Sequence, residues 1–106
     1  MMLLLLFAAH ALCDYPLQRQ FLSDCKNHKA SLTGVPWYQC LLAHSLIHAG
    51  AVALITHNVW LGVAEFFFHA ITDYEKSEGW LTFNQDQAIH YGCKVVWFLI
   101  AMKGTL

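Results

Sequence analysis

Charged side chains are scarce in this chain: Asp, Glu, Lys and Arg make up 12% of its 106 residues, against 58% hydrophobic ones. The charged share is about half that of an average soluble domain, and the apolar share is well above it. So little polar surface coats a soluble globule poorly. The six Lys and Arg residues form no run and the net charge is −1. A basic surface is therefore missing, and the expected partners include no nucleic acid. The four cysteines, Cys13, Cys25, Cys40 and Cys93, contain no C-x-x-C, which excludes a zinc ribbon and a thioredoxin-like motif. Cys13, Cys40 and Cys93 fall in apolar helical stretches, where a reduced cysteine packs as a small hydrophobe. No disulfide framework is expected, and Cys40, four residues before His44, either packs or extends that ligand face. No G-x-S-x-G nucleophile motif is present. The opening MMLLLLFAAHALC lacks the basic start of a signal peptide, and Leu12 stands where a lipoprotein cleavage box wants a small residue. It is expected to be a mature helix, with a retained signal anchor as the alternative.

What the chain has is helix. Residues 1–14 read as a first helix, ended by Asp14-Tyr15-Pro16 because proline disfavours helix in the residue before it. A polar stretch over 18–29 reads as a short surface helix, and Ser31-Leu32-Thr33-Gly34-Val35-Pro36 as a loop. Three further helices are expected over 37–55, 59–76 and 85–103, divided by Thr56-His57-Asn58 and by Ser77-Glu78-Gly79. Residues 1–106 have room for one domain. The expected fold class is all-α: a four-helix up-down transmembrane bundle with a short amphipathic surface helix after helix one. Helices of roughly 14 to 20 residues are about 21 to 30 Å long, enough to cross a bilayer core except for the short first one. A mean hydropathy of +0.43 keeps a soluble bundle as the alternative.

Four pairs of metal-binding side chains recur at i, i+4: His10 with Asp14, His44 with His48, His69 with Asp73, and Asp86 with His90. On a helix that spacing sets both members on one face, about 6 Å apart. A brief internal echo links two of them, His10-Ala11-Leu12-Cys13-Asp14-Tyr15 and His69-Ala70-Ile71-Thr72-Asp73-Tyr74. In an up-down bundle all four pairs come out at one end. A single histidine on an apolar helix is usually only packed; eight such residues at matched spacing and depth point to a metal site. His28 and His57 lack a partner at helical spacing and stay outside it.

One turn deeper, Glu65 precedes His69 by four residues and Lys94 follows His90 by four. The register predicts a buried Glu65–Lys94 ion pair, the usual way such groups are accommodated in a membrane; the alternative makes Glu65 a bridging carboxylate. Five His and three Asp exceed the needs of one tetrahedral ion. Mixed imidazole and carboxylate donors suit a divalent transition metal such as zinc, manganese or iron. Bundles with ligands on all four helices commonly hold two ions, so a binuclear site is expected, and a single ion with Asp residues orienting His rings is the alternative.

The blocks His10-x-x-x-Asp14-Tyr15-x-Leu17-Gln18 with Lys26-Asn27, Leu42-x-His44, His69-x-x-x-Asp73-x-x-Lys76 and Phe83-x-x-Asp86-Gln87-x-x-His90 span nearly the whole chain. In these the sequence resembles the small bacterial and phage membrane proteins catalogued as domain of unknown function 3307. More loosely it is similar to membrane-bound metal-dependent hydrolases. The resemblance implies an integral protein of the bacterial inner membrane, and hydrolysis at the membrane face by analogy of fold. In that reading a metal acidifies water, Asp14 or Asp86 is the general base, and Gln18, Gln87 and Lys76 contact substrate, a phosphoester or an amide. The second hypothesis is a metal-stabilised module that binds a partner membrane protein or a second copy of itself, with Tyr15, Trp37, Tyr38, Tyr74 and Trp80 forming an interfacial belt. A third, a bis-histidine haem protein, leaves the Asp residues without a role. Arg19, Lys26, Lys29 and Lys76 flank the site end and Lys103 the other, so the positive-inside rule puts the site on the cytoplasmic face.

Overall fold

The computed structural model describes residues 1–15, 17–29 and 34–104. All regular structure among them is helical: α1 (Met2–Asp14), α2 (Arg19–Cys25), α3 (Trp37–Thr56), α4 (Val59–Ser77) and α5 (Phe83–Gly104). The expected loop over 31–36 falls partly on residues 31–33, outside the described residues.

Local chemistry sets the helix ends. α3 starts immediately after Pro36, which is extended at its N-cap. It stops at His57, a non-glycine residue in the left-handed region with φ 54°. Asn58 then caps α4, its side-chain oxygen accepting from the backbone N–H groups of Trp60 and Leu61 at 2.9 and 3.3 Å. Gly79, at φ 85°, follows the end of α4. α5 begins two residues earlier than the sequence suggests. Thr82 and Gln85 form a reciprocal capping box, Thr82 Oγ1 accepting from Gln85 N–H at 3.1 Å and Gln85 Oε1 from Thr82 N–H at 2.9 Å.

The four long helices close a ring in which α1 and α4 each touch both α3 and α5, while α2 lies against α3. The C-terminal turns of α1 and α4 meet the N-terminal turns of α3 and α5, so direction alternates around the ring. α3 and α4 approach closely through small residues. A Cβ placed on Gly62 would lie 2.8 Å from Ala53 Cβ and 2.9 Å from the Ala49 carbonyl oxygen. At the end away from the histidines, Leu6, Val52, Leu61, Trp97 and Ala101 form an apolar cluster.

The interior is otherwise inverted relative to a soluble protein. The largest fully buried side chains include Lys94, Glu65, Asp86 and all five histidines of the i, i+4 pairs, whereas Leu46, Leu54, Trp60, Phe67, Ile71 and Leu99 are exposed. Among the described residues only α3 is both long and apolar enough to cross a membrane by length and composition. α1 is apolar but has 13 residues. α4 and α5 are long enough, but the Glu, Asp and Lys residues that they bury dilute their apolar character.

One expectation is overturned. Cys25 and Cys40 form a disulfide, with Cα atoms 5.7 Å apart. α2 folds back on the first turn of α3, which brings together two cysteines 15 residues apart in sequence, and helical spacing carries no trace of that path. Cys40 therefore offers no sulfur to the His44 face. Cys13, buried, and Cys93, half-buried, are free thiols.

Candidate metal centre

The four i, i+4 pairs converge at one end of the bundle. Each pair faces inward because the ring of helices has a single interior, and one helical turn separates its members. Within pairs, His10 Nε2 lies 3.3 Å from Asp14 Oδ2, His69 Nε2 3.3 Å from Asp73 Oδ2, and His90 Nε2 3.3 Å from Asp86 Oδ1. The rings of His44 and His48 are 4.7 Å apart. All five histidine residues of the pairs are at most 1% exposed.

Across helices the donors gather into two groups that can hold a metal ion. Asp14, His44, His48 and His69 form the first, and His69, Asp73 and His90 the second. Asp14 Oδ1 lies 3.1 Å from His44 Nε2 and 2.9 Å from His48 Nε2; Asp73 Oδ1 lies 3.1 Å from His90 Nε2. Ligand atoms held about 2.0–2.1 Å from zinc are about 2.9 Å apart at right angles and about 3.4 Å apart at tetrahedral angles. The observed separations are therefore the edges of a coordination polyhedron as well as hydrogen-bond lengths. His69 Nε2 is buried at the junction of the two groups without a hydrogen-bond partner, although Asp73 Oδ2 and Asp14 Oδ1 lie 3.3 and 4.0 Å away. An orphaned buried nitrogen beside two carboxylates has an arrangement that a metal ion could use.

The surrounding residues orient this cluster. His69 Nδ1 faces Glu65 Oε1 at 3.3 Å, and since a carboxylate only accepts, Nδ1 carries the proton and Nε2 is left with its lone pair. Glu65 also receives the Lys94 ammonium on Oε1 and the Trp97 indole N–H on Oε2 at 2.8 Å. The ion pair expected from register is present, and both Glu65 oxygens are occupied, so the bridging alternative has no free oxygen. Gln87 donates to Asp14 Oδ2 at 2.7 Å and accepts from His10 Nε2 at 3.0 Å. Both Asp14 oxygens are thus engaged. Asp86 differs: it lies outside both groups, and its buried Oδ1 accepts no hydrogen bond, although His90 Nε2 lies 3.3 Å away.

Other expected site residues sit further out. Gln18 donates to the backbone oxygen of Asp14 at 2.9 Å, capping α1, and Lys76 lies over the Phe83 ring at 4.9 Å. His10 joins neither metal-sized group. Sequence reasoning missed Lys26, whose ammonium meets Asp73 Oδ2 at 2.9 Å; the Lys26-Asn27 block was its only signal. His28, kept outside the site, stacks on Tyr74 with ring centroids 3.9 Å apart and donates to Glu78 Oε1 at 2.6 Å. The His28 hydrogen bond holds the half-buried Glu78 carboxyl below its usual value.

Charge sharpens the case for a cation. With carboxylates ionised and imidazoles neutral, Asp14, Asp73, Asp86 and Glu65 carry four negative charges against two on Lys26 and Lys94. A buried excess of two negative charges is costly unless compensated, and one divalent ion compensates it.

Residues 2–105 match the family described as "Protein of unknown function (DUF3307)". The chain belongs to this family. No curated protein and no solved structure matches it. All of the cluster lies within the family's extent, so the inward-facing His and Asp pairs belong to the DUF3307 region.

Proposed function

We propose that this chain is an integral membrane protein of the bacterial inner membrane whose bundle encloses a binuclear centre of zinc, manganese or iron and hydrolyses a substrate at the membrane face. The observation that carries the reading is the pair of overlapping donor groups, six inward-facing residues in all, that share His69. One ring nitrogen serves one ion, so His69 belongs to one group only. Asp14, His44 and His48 then make one triad, and His69, Asp73 and His90 the other. Three protein ligands with an open position are the pattern of catalytic rather than structural zinc.

The metal would supply a Lewis acid and an acidified water. The chain's own groups do the rest. Asp86, whose Oδ1 accepts no hydrogen bond and has only His90 Nε2 beside it at 3.3 Å, is the general base; Asp14 is too fully engaged for that role. Glu65 and Gln87 fix the orientation of His69 and Asp14, and His10 steadies Gln87.

A membrane setting is supported by the inverted distribution of side chains, because exposed apolar faces of this extent suit lipid and buried ionisable groups in membranes are paired and functional. Lipid is then the immediate partner. α3, at 20 residues, is about 30 Å long, the thickness of a bilayer core. Orientation is better read from the disulfide than from lysines. Cys25–Cys40 lies at the site end, and disulfides persist in oxidising compartments, so the centre faces the periplasm, opposite to the positive-inside expectation.

A second reading rests on an apolar cleft of about 300 Å³ between α3 and α4, lined by Trp37, Tyr38, Leu41, Leu42, Ile71 and Tyr74 among others. It favours a non-enzymatic module seated against a partner membrane protein or a second copy. Haem gains no support: His48 and His69 stack at 3.8 Å and His69 and His90 at 4.1 Å, with no porphyrin-sized gap between rings. Elemental analysis and an absorption spectrum of the purified protein test the centre, with two ions per chain and no Soret band expected. Asp86→Asn should retain the ions and lose about 10²–10⁴-fold in hydrolysis. Equal turnover by the variant would remove the hydrolase reading and leave the module.

A further inference from the structure

A second cavity adjoins the centre, and nothing in the hydrolase reading requires it. Ser23, Lys26 and Asn27 from the α2 region face Asp73, Lys76 and Ser77 from the end of α4 across a cleft of about 310 Å³, with Asp24 adding a carboxylate. The volume lies at the lower end of small-molecule sites. Asp73 belongs both to this cleft and to the second metal-sized group. The cleft therefore borders the candidate centre.

Its chemistry is that of an anion site. Lys26 uses one of three ammonium donors on Asp73 Oδ2. Lys76 has no carboxylate partner among the described residues and rests on the Phe83 ring. Ser23, Ser77 and Asn27 supply neutral donors. Before metal binds, Asp24 and Asp73 balance the two lysines. Once Asp73 is committed to metal, the charge of the cleft turns positive at the face that meets the ions. Two divalent ions would also overcompensate the buried negative excess by two charges, which a dianionic ligand restores.

We propose that this cleft seats the phosphoryl group of a phosphate monoester, with Lys76 and Lys26 as its charged donors, so the substrate is a phosphoester rather than an amide. The proposal rests on the binuclear hydrolase reading. In the step that it implies, water attacks phosphorus as Asp86 Oδ1 takes its proton. The bond from phosphorus to the ester oxygen breaks, its electron pair stays with that oxygen, and Asp86 returns the proton there. The products are an alcohol and inorganic phosphate. The ester belongs either to a lipid headgroup or to a soluble metabolite, which share this chemistry.

The test measures inorganic phosphate binding to the full-length protein by calorimetry alongside metal content. The metal-loaded protein should bind phosphate, and Lys76→Gln, with metal content unchanged, should bind it about tenfold or more weakly. Phosphatidic acid in mixed micelles and glycerol 3-phosphate are then compared as competitors. Displacement by one identifies the lipid or the soluble source. Retained metal without Lys76-dependent phosphate binding overturns this proposal and leaves the centre standing. Protein that takes up no metal removes the centre itself, and phosphate that binds such protein equally with and without Lys76 removes the cleft as well.

Discussion

His69 Nδ1 lies 3.3 Å from Glu65 Oε1, one turn earlier on the same helix. That contact aims the unpartnered Nε2 at the junction of the two candidate ligand groups and ties the ring to Lys94 and Trp97 through one carboxylate. Glu65 thereby couples the buried ion pair to the centre. Glu65→Gln keeps the shape but releases the charge. Its expected effect is a loss of about 10–100-fold in metal affinity, the usual consequence of altering an orienting partner. Chelator competition measures it. Unchanged affinity would show that the ring needs no such support.

Two triads and a single shared ion differ in how they lose metal. With two triads, His48→Ala empties one position and His90→Ala the other, so each variant holds one ion per chain and the double variant none. A single ion would be lost from one variant and kept in the other. Elemental analysis at fixed protein concentration reads the ratio.

The pairs themselves were legible because helical periodicity is local: His10 with Asp14 and Asp86 with His90 announce their shared face through spacing alone. The depth match of Glu65 and Lys94 followed from alternating helix direction. Lys26 on Asp73, Cys25 on Cys40 and His28 on Tyr74 were not legible. Lys26 on Asp73 and His28 on Tyr74 depend on how the residues at the end of α2 meet the end of α4, and Cys25 on Cys40 depends on how α2 meets the first turn of α3; neither path has a period. The early start of α5 was hidden for a different reason, since the Thr82–Gln85 box is a pair of hydrogen bonds rather than an apolar repeat.

Gly62 fixes the approach of α4 to α3. In Gly62→Ala the new methyl meets the Ala49 carbonyl oxygen at 2.9 Å and Ala53 Cβ at 2.8 Å, so the helices must part. Overpacking of this kind costs about 1–3 kcal/mol. Thermal unfolding in detergent should show a lower midpoint. Adding Ala53→Gly removes one of the two clashes, and a partial recovery is expected because the carbonyl contact stays.

The His28–Glu78 contact ties the residues after α2 to the end of α4. Because the folded carboxyl titrates below its ordinary value, its contribution is fully present above the unfolded value of about 4.5 and is lost as pH falls through the folded one. Glu78→Gln should flatten stability against pH on the acid side and leave it unchanged near neutrality in slope. An acid limb of equal steepness in the variant would assign the pH dependence to other carboxylates.

The disulfide makes two demands that can be checked separately. Of four cysteines, Cys13 and Cys93 alone should react with a thiol reagent in denatured, unreduced protein, and all four after reduction. Closing a loop with a sequence separation of 15 is worth about 3 kcal/mol in the chain-entropy view, so Cys25→Ser should lower stability and loosen α2. Lys26 follows Cys25 directly, and its grip on Asp73 should weaken with it, which would appear as reduced phosphate binding at unchanged metal content. The second demand is topological. On the proposed membrane reading, an oxidising environment at the site end would put the opposite end, where α1 begins and α5 finishes, in the cytoplasm. A C-terminal reporter that is active only in the cytoplasm should therefore be active, and one that requires export should be silent. The reverse pattern would put the centre in the cytoplasm, where a lasting Cys25–Cys40 bond is not expected, and the thiol assay would then have to find four free cysteines.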